Sequence, residues 1–265
     1  MSNALTAMMP SMAPSMAMDP TAQFELHKLA KLTLGKFDLS FTNSALMMVV
    51  TVACVAVWFL LSSKKQLVPG RAQSIVEISY EFIADMLKSS TGKEGMRFFP
   101  LVFTIFIFIL FANMLGMIPF FFTTTSHIIV TFALAMIVMS VVIGFGIWKN
   151  GFGFLKLFWP AGIPMAIKPF VSLLEVISFI SRPISLSVRL WANMFAGHIL
   201  LKLFAGFAIS MFTAAGILTT VGAVVPFALT FALIPLEFLV AFVQAYVFAL
   251  LTSVYLSDAL HPGHH

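Results

Sequence analysis

The sequence predicts an all-α polytopic membrane protein of about five transmembrane helices, with amphipathic helices lying at the membrane surface. Three observations carry this. Only 9% of the 265 residues are charged, against roughly 25% in a soluble domain. Hydrophobic residues make up 60% of the chain, and the mean hydropathy is +1.04. Most of the apolar residues fall in long runs, and a helix needs about 20 of them to cross a bilayer. Composition therefore excludes a disordered chain. The one cysteine, Cys54, sits inside an apolar run, which excludes a disulfide framework and a Cys-based metal site. The net charge of +5 is better explained by membrane topology than by nucleic acid; no nucleic-acid partner is expected.

Residues 1–20 repeat Pro-Ser-Met-Ala at Pro10–Ala13 and Pro14–Ala17 and contain six Met but no Lys or Arg. A secretory signal needs a basic start and a transit peptide needs arginine, so this stretch reads as a disordered tail. Residues 21–258 read as one membrane domain and 259–265 as a short tail. The tail's His261, His264 and His265 are expected to be solvated rather than to hold a metal. In 21–36, Phe24, Leu26, Leu29, Leu32 and Leu34 alternate with Glu25, His27, Lys28, Lys31 and Lys36, a pattern expected of a short surface helix. The first span is Asn43 to Leu61. Residues 64–97 carry the densest charge of the chain, with Ile75, Ile78, Phe82, Ile83 and Met86 recurring between the charges at helical spacing. This predicts an amphipathic interfacial helix rather than a span.

Phe98–Pro119 and His127–Trp148 are the second and third spans. No charge lies between Phe98 and Trp148, and the short link 120–126 makes the two an antiparallel hairpin. A loop punctuated by Gly and Pro occupies 149–168. Two long apolar segments follow, 169–205 and 223–258, joined by a stretch rich in Ala, Gly and Thr. Each exceeds one perpendicular crossing, so each must tilt or break, with Pro183, Pro226 and Pro235 as candidate breaks. Six Lys and Arg lie in 64–97 and three in 149–168, while the links 120–126 and 206–222 have none. The positive-inside rule places the two basic loops on the inner side of the membrane.

The last third of the chain breaks the apolar pattern. Glu175, Arg182, Arg189, Lys202 and Glu237 lie within the two long segments, where a charge costs from about 2.5 kcal/mol upward and marks a candidate functional site. Arg182 and Lys202 are as compatible with snorkelling at an interface or structural ion pairing as with a functional role. Arg189 stands among Ile184, Leu186, Val188, Leu190 and Trp191 and cannot lose its proton, so burial would require a carboxylate. Glu175, Arg182 and Arg189 are spaced by sevens and share a stripe, which Asn193 continues. His198, nine residues beyond Arg189, faces another way. Glu237 and Gln244 share one face of the following helix. His198 with Glu237 in a wet cleft would form a pair able to pass protons near neutrality, or a simple interhelical hydrogen bond. No P-loop, G-x-G-x-x-G, H-E-x-x-H or C-x-x-C occurs, and no cofactor is expected.

The run Ser185-Leu-Ser-Val-Arg-Leu-Trp-Ala-Asn-Met-Phe-Ala-Gly-His198 closely resembles the signature of the a subunit of F-type ATP synthase. Asn113-Met-Leu-Gly-Met-Ile-Pro119, the run Pro235 to Phe248 and Leu251-Thr-Ser-Val-Tyr-Leu256 extend the resemblance, which covers about residues 21–258. It implies a non-catalytic stator subunit with two offset aqueous half-channels, beside a ring of c subunits that carry mid-membrane carboxylates. It implies further that Arg189 is the essential arginine between the half-channels. Asn193, His198, Glu237 and Gln244 are implied in the outer half-channel, Glu175 in the inner one, and Ser185 as a polar position one turn before the arginine. The last two helices would form a tilted hairpin against the ring. Implied partners are the c ring, b-type peripheral-stalk subunits, the F1 sector indirectly, and membrane lipids. Many bacterial members carry an acid where this chain has His198 and a histidine where it has Glu237. Here the pair is exchanged, as in mitochondrial and alphaproteobacterial members. The location implied is a bacterial inner membrane, or alternatively the mitochondrial one. A secondary ion transporter is the rival reading, but it would normally show two related halves, and the intramembrane charges here are confined to one. A membrane-embedded enzyme and a structural scaffold fit less well: the first would carry His or Asp motifs near an interface, the second would not need a mid-span arginine.

Overall fold

The computed structural model describes residues 24–30, 33–34, 37–38, 40–62, 70–118, 121–159, 164–165, 167–214 and 216–260. The tail expected over 1–20 and the histidines at 261, 264 and 265 lie outside them. The fold is all-α and polytopic. Among the described residues five helical runs are long and apolar enough to cross a membrane: Asn43–Ser62, Arg71–Gly116, Ile128–Asn150, Lys168–Thr213 and Ile217–Leu260.

The chain enters through short strands, β1 (Lys28–Ala30), β2 (Thr33–Leu34), β3 (Phe37–Asp38) and β4 (Phe41–Thr42). β1 pairs antiparallel with β4, and β2 with β3. This corrects the surface helix expected over 21–36. Leucine spacing there fits either period, but Thr33, Phe37, Phe41 and Thr42 favour strand. Asn43 also draws the backbone into an extended path: its Nδ2 donates to the Glu25 carbonyl (3.1 Å) and its Oδ1 accepts from the His27 N–H (3.3 Å). The same Oδ1 accepts from the Ser44 N–H (3.0 Å) where helix α1 (Asn43–Ser62) begins.

Helix α2 (Arg71–Gly95) follows, as the periodicity of 64–97 predicts. It buries Ile83, Ala84, Met86, Leu87 and Thr91, a stripe at i, i+3, i+4 and i+8, and exposes Asp85 and Lys88 between them. Gly92 bends it, with φ 68°, a left-handed value that glycine tolerates. A 3-10 turn leads into α3 (Phe99–Gly116), the core of the second span. α4 (Ile128–Asn150) is the third. The loop beyond it contains a 3-10 segment, Gly151–Phe158.

The two long apolar segments are α5 (Lys168–Thr213, 46 residues) and α7 (Val224–Leu260, 37 residues), with α6 (Ile217–Gly222) between them. α5 runs eight residues past the expected end, so the Ala/Gly/Thr-rich link is mostly helical. Neither Pro183 nor Pro235 breaks its helix. Pro226 sits in the first turn of α7, where its missing N–H is tolerated. At about 1.5 Å per residue both helices exceed the ~30 Å hydrocarbon core.

Contacts divide the chain into two compact units. One comprises Met1–Val55, Phe108–His127 and Trp191–Gln244; the other comprises Ala56–Ile107, Ile128–Leu190 and Ala245–His265. In the second, Phe82 packs on Phe106 and Tyr246, and Asn150 Nδ2 donates to the Ala259 carbonyl at 2.7 Å.

Candidate functional site

The first unit brings His198 of α5 against Glu237 of α7. Both are buried, at 8% and 6% exposure. His198 Nδ1 stands 3.2 Å from Glu237 Oε1. That is an ion-pair distance but not an aligned hydrogen bond, and both carboxylate oxygens are buried with no hydrogen-bond partner among the described residues. The approach depends on Gly197. A methyl group there would lie 2.9 Å from Glu237 Oε1 and 3.3 Å from its Cδ, so the bare backbone of α5 is what admits the acid.

The other face of the imidazole meets a polar turn. His198 Nε2 lies 3.0 Å from Thr123 Oγ1. Thr123 to Ser126 follow α3 and are all buried. The Thr123 hydroxyl donates to the Gly116 carbonyl at the end of α3 (3.1 Å), where a helix leaves its last carbonyls unsatisfied. The Thr123 carbonyl accepts from Ser126 Oγ (2.6 Å) and from the Ser126 N–H (3.3 Å). Gly116 is as constrained as Gly197: a methyl there would stand 2.7 Å from Thr123 Cγ2. The Phe24 ring packs 4.8 Å from Phe195 and 6.4 Å from His198, centroid to centroid.

Asn113, fully buried, donates from Nδ2 to the Ala241 carbonyl (3.2 Å) one turn beyond Glu237. Its Oδ1, Thr125 Oγ1 and His127 Nε2 are buried without a hydrogen-bond partner among the described residues. Leaving such an atom unpaired costs about 1–3 kcal/mol, and buried polar groups of this kind are ordinarily satisfied by water. Asn193 and Gln244 are half-buried in the same unit, and among the described residues no hydrogen bond ties either to the pair.

The second unit holds Glu175, Arg182, Ser185 and Arg189. Arg182 Nη1 donates to Asp258 Oδ2 at 2.7 Å, with the two side chains 14% and 10% exposed. The guanidinium lies 5.0 Å from the Tyr255 ring and 5.5 Å from that of Phe179. Arg182 is thus in a structural pair with Asp258. Arg189 is exposed and, among the described residues, in no ion pair; Ser185 is exposed and Glu175 half-buried. Leu186, Leu190 and Met194, spaced by four, form the inward stripe of α5, and a 3.6-residue period turns Arg189 outward.

Sequence reasoning missed Thr123, Asn113 as a site member, and Asp258 as the partner of Arg182. The run Thr123-Thr-Thr-Ser126, hydroxyls between two apolar spans, was the available signal for the first. No group of three or more His, Cys, Asp or Glu able to hold a metal occurs among the described residues.

An all-α chain with five potential crossings and an acid–histidine pair buried in its apolar helices is a multi-pass membrane protein with ionisable groups inside. Its sequence relatives specify the class further. A family model described as ATP synthase A chain matches residues 45–257. A protein of Chelativorans sp. (strain BNC1), named ATP synthase subunit a, is 59% identical over 94% of this chain and all of its own length. Proteins of the same name from Allorhizobium ampelinum and Mesorhizobium japonicum are 57% and 58% identical over 94% and 93% of this chain, and over 100% and 98% of their own. The chain belongs to the ATP synthase A chain family.

Proposed function

We propose that the chain is the proton-conducting stator subunit of the membrane sector of an ATP synthase. The observation that carries this is the buried His198–Glu237 pair, 3.2 Å apart, in a member of this family. A buried carboxylate and an imidazole side by side form a pair between which a proton can pass. Asn193 and Gln244 line the same outer half-channel, and Glu175 serves the inner one. Arg189 stands between the two, with Ser185 one turn before it. Its exposure on α5 supports a cation offered to a partner, the carboxylates of a c-subunit ring.

The coupling is electrostatic. A ring carboxylate facing lipid stays protonated, because ionisation there is too costly. Beside Arg189 a fixed cation favours its loss of the proton. Each passing carboxylate then releases a proton on one side of Arg189 and regains one on the other, and the arginine bars a direct path because it repels a proton and cannot relay one. Each charge that crosses contributes about 2.3 kcal/mol per 100 mV. The lengths of α5 and α7 support a tilted hairpin against the ring. The subunit performs no chemistry on ATP itself. It works with b-type peripheral-stalk subunits and, indirectly, with F1, in a bacterial inner membrane like that of its relatives' hosts.

In inverted vesicles, Arg189→Ala is expected to abolish proton-driven ATP synthesis while the complex still assembles. Normal synthesis by that variant would overturn the proposal. Co-purification with a c ring and F1 separates this reading from a free-standing transporter.

A further inference from the structure

We propose that Thr123 is a positioning residue that fixes the ring tautomer of His198, so that its Nδ1 lone pair, and not an N–H, meets Glu237. This role of Thr123 rests on the proton-transfer reading of the pair and follows from the number of protons available. A threonine hydroxyl has one proton to give, and a backbone carbonyl can only accept. With Thr123 Oγ1 at 3.1 Å from the Gly116 carbonyl and 3.0 Å from His198 Nε2, the hydroxyl proton belongs to the carbonyl. Otherwise two oxygen lone pairs would face each other. Nε2 must then be the donor to Thr123. The hydroxyl cannot turn to serve the ring instead without abandoning the carbonyl, and Ser126 anchors the Thr123 backbone from the other side.

One consequence reaches Glu237. With Nε2 carrying the fixed proton, the neutral imidazole turns a bare Nδ1 toward Oε1 at 3.2 Å. Two acceptors at that separation repel unless one of them carries a proton. The pair therefore holds one mobile proton, on the acid or on the ring, and is net neutral in either form, which suits its burial. The opposite tautomer would fix an N–H on the nitrogen nearest Glu237 and leave Nε2 bare against Thr123. The cleft would then hold a fixed donor beside the acid instead of an exchangeable proton. Gly116 belongs to the same device, since a methyl there would collide with the Thr123 side chain.

The test uses the whole complex. Solid-state 15N spectra of histidine-labelled enzyme, with His198→Gln supplying the assignment, are expected to show Nε2 protonated in the native chain and in Thr123→Ser. Thr123→Val keeps the side-chain shape and removes the hydroxyl. It should shift the population toward Nδ1–H and lower passive proton conductance of F1-stripped vesicles about tenfold, the scale of one lost hydrogen bond, with Thr123→Ser restoring it. A bare Nε2 in the native enzyme overturns the proposal, as does a Thr123→Val variant that conducts normally. If Thr123→Val does not assemble, the native and Thr123→Ser spectra still decide. Normal conductance in His198→Gln and Glu237→Gln would instead defeat the proton-transfer reading, whichever tautomer the spectra show.

Discussion

The space in front of Gly197 is filled by the Glu237 carboxylate, so the residue type at 197 sets where that carboxylate sits. The nearest atom to an added methyl is the end of a flexible side chain, so Gly197→Ala should move the acid rather than unfold the chain. ATP-driven proton pumping in inverted vesicles is expected to fall about tenfold, one misplaced polar contact being worth roughly 1.4 kcal/mol. Gly144→Ala supplies the control, since nothing lies within 4 Å of a methyl there. Equal pumping by the two variants would refute this account. At this scale the sequence was legible in part. His198 and Glu237 stood out as ionisable residues in apolar surroundings. Thr123 did not, because a threonine in a short polar link looks like any loop residue until the link is seen buried against a histidine 75 positions away.

Helices were the easiest part to read and their partners the hardest. Hydropathy located α1, α3, α4, α5 and α7 because about 20 apolar residues in a row have few soluble alternatives. It failed over 21–36, where short segments obey either period and Asn43 decides the matter through hydrogen bonds to distant backbone. It also left Arg182 ambiguous, since its partner Asp258 lies 76 residues on. That pair fastens α5 to α7 within the second unit. Arg182→Leu would take the guanidinium away from a largely buried carboxylate, a destabilising change. The thermal midpoint of the purified complex should drop accordingly. Removing both charges, as Arg182→Leu with Asp258→Leu, should recover part of the loss, because apolar side chains then face each other where the ion pair stood. A double variant no more stable than the single would show that the pair is not what joins the helices there.

For the molecule as a whole, the basic residues of 64–97 and 149–168 predict an orientation with both loops on the inner side. α4 separates the buried polar turn at 123–126 from the 3-10 segment that contains Leu155, so one crossing should divide them. In a chain made cysteine-free by Cys54→Ser, Phe121→Cys and Leu155→Cys are each exposed positions. A membrane-impermeant thiol reagent should label the 121 variant from the outside of intact cells and the 155 variant only in inverted vesicles. Labelling of both from the same side would remove the topology and the half-channel assignments with it.

Arg189 leaves the chain by itself incomplete in a way that concerns its history in the cell. A copy inserted ahead of its partners displays a permanent cation at its surface, in a helix made for lipid, at a penalty of at least ~2.5 kcal/mol near mid-bilayer. Against the proposed c ring the penalty would fall, so an orphan copy and an assembled one would differ in how firmly they hold their place in the membrane. The residue proposed to couple rotation would thereby also mark an unassembled copy for removal. In cells lacking the c subunit, pulse-chase decay should be slower for Arg189→Leu than for the native chain, and identical lifetimes would dissociate the two roles.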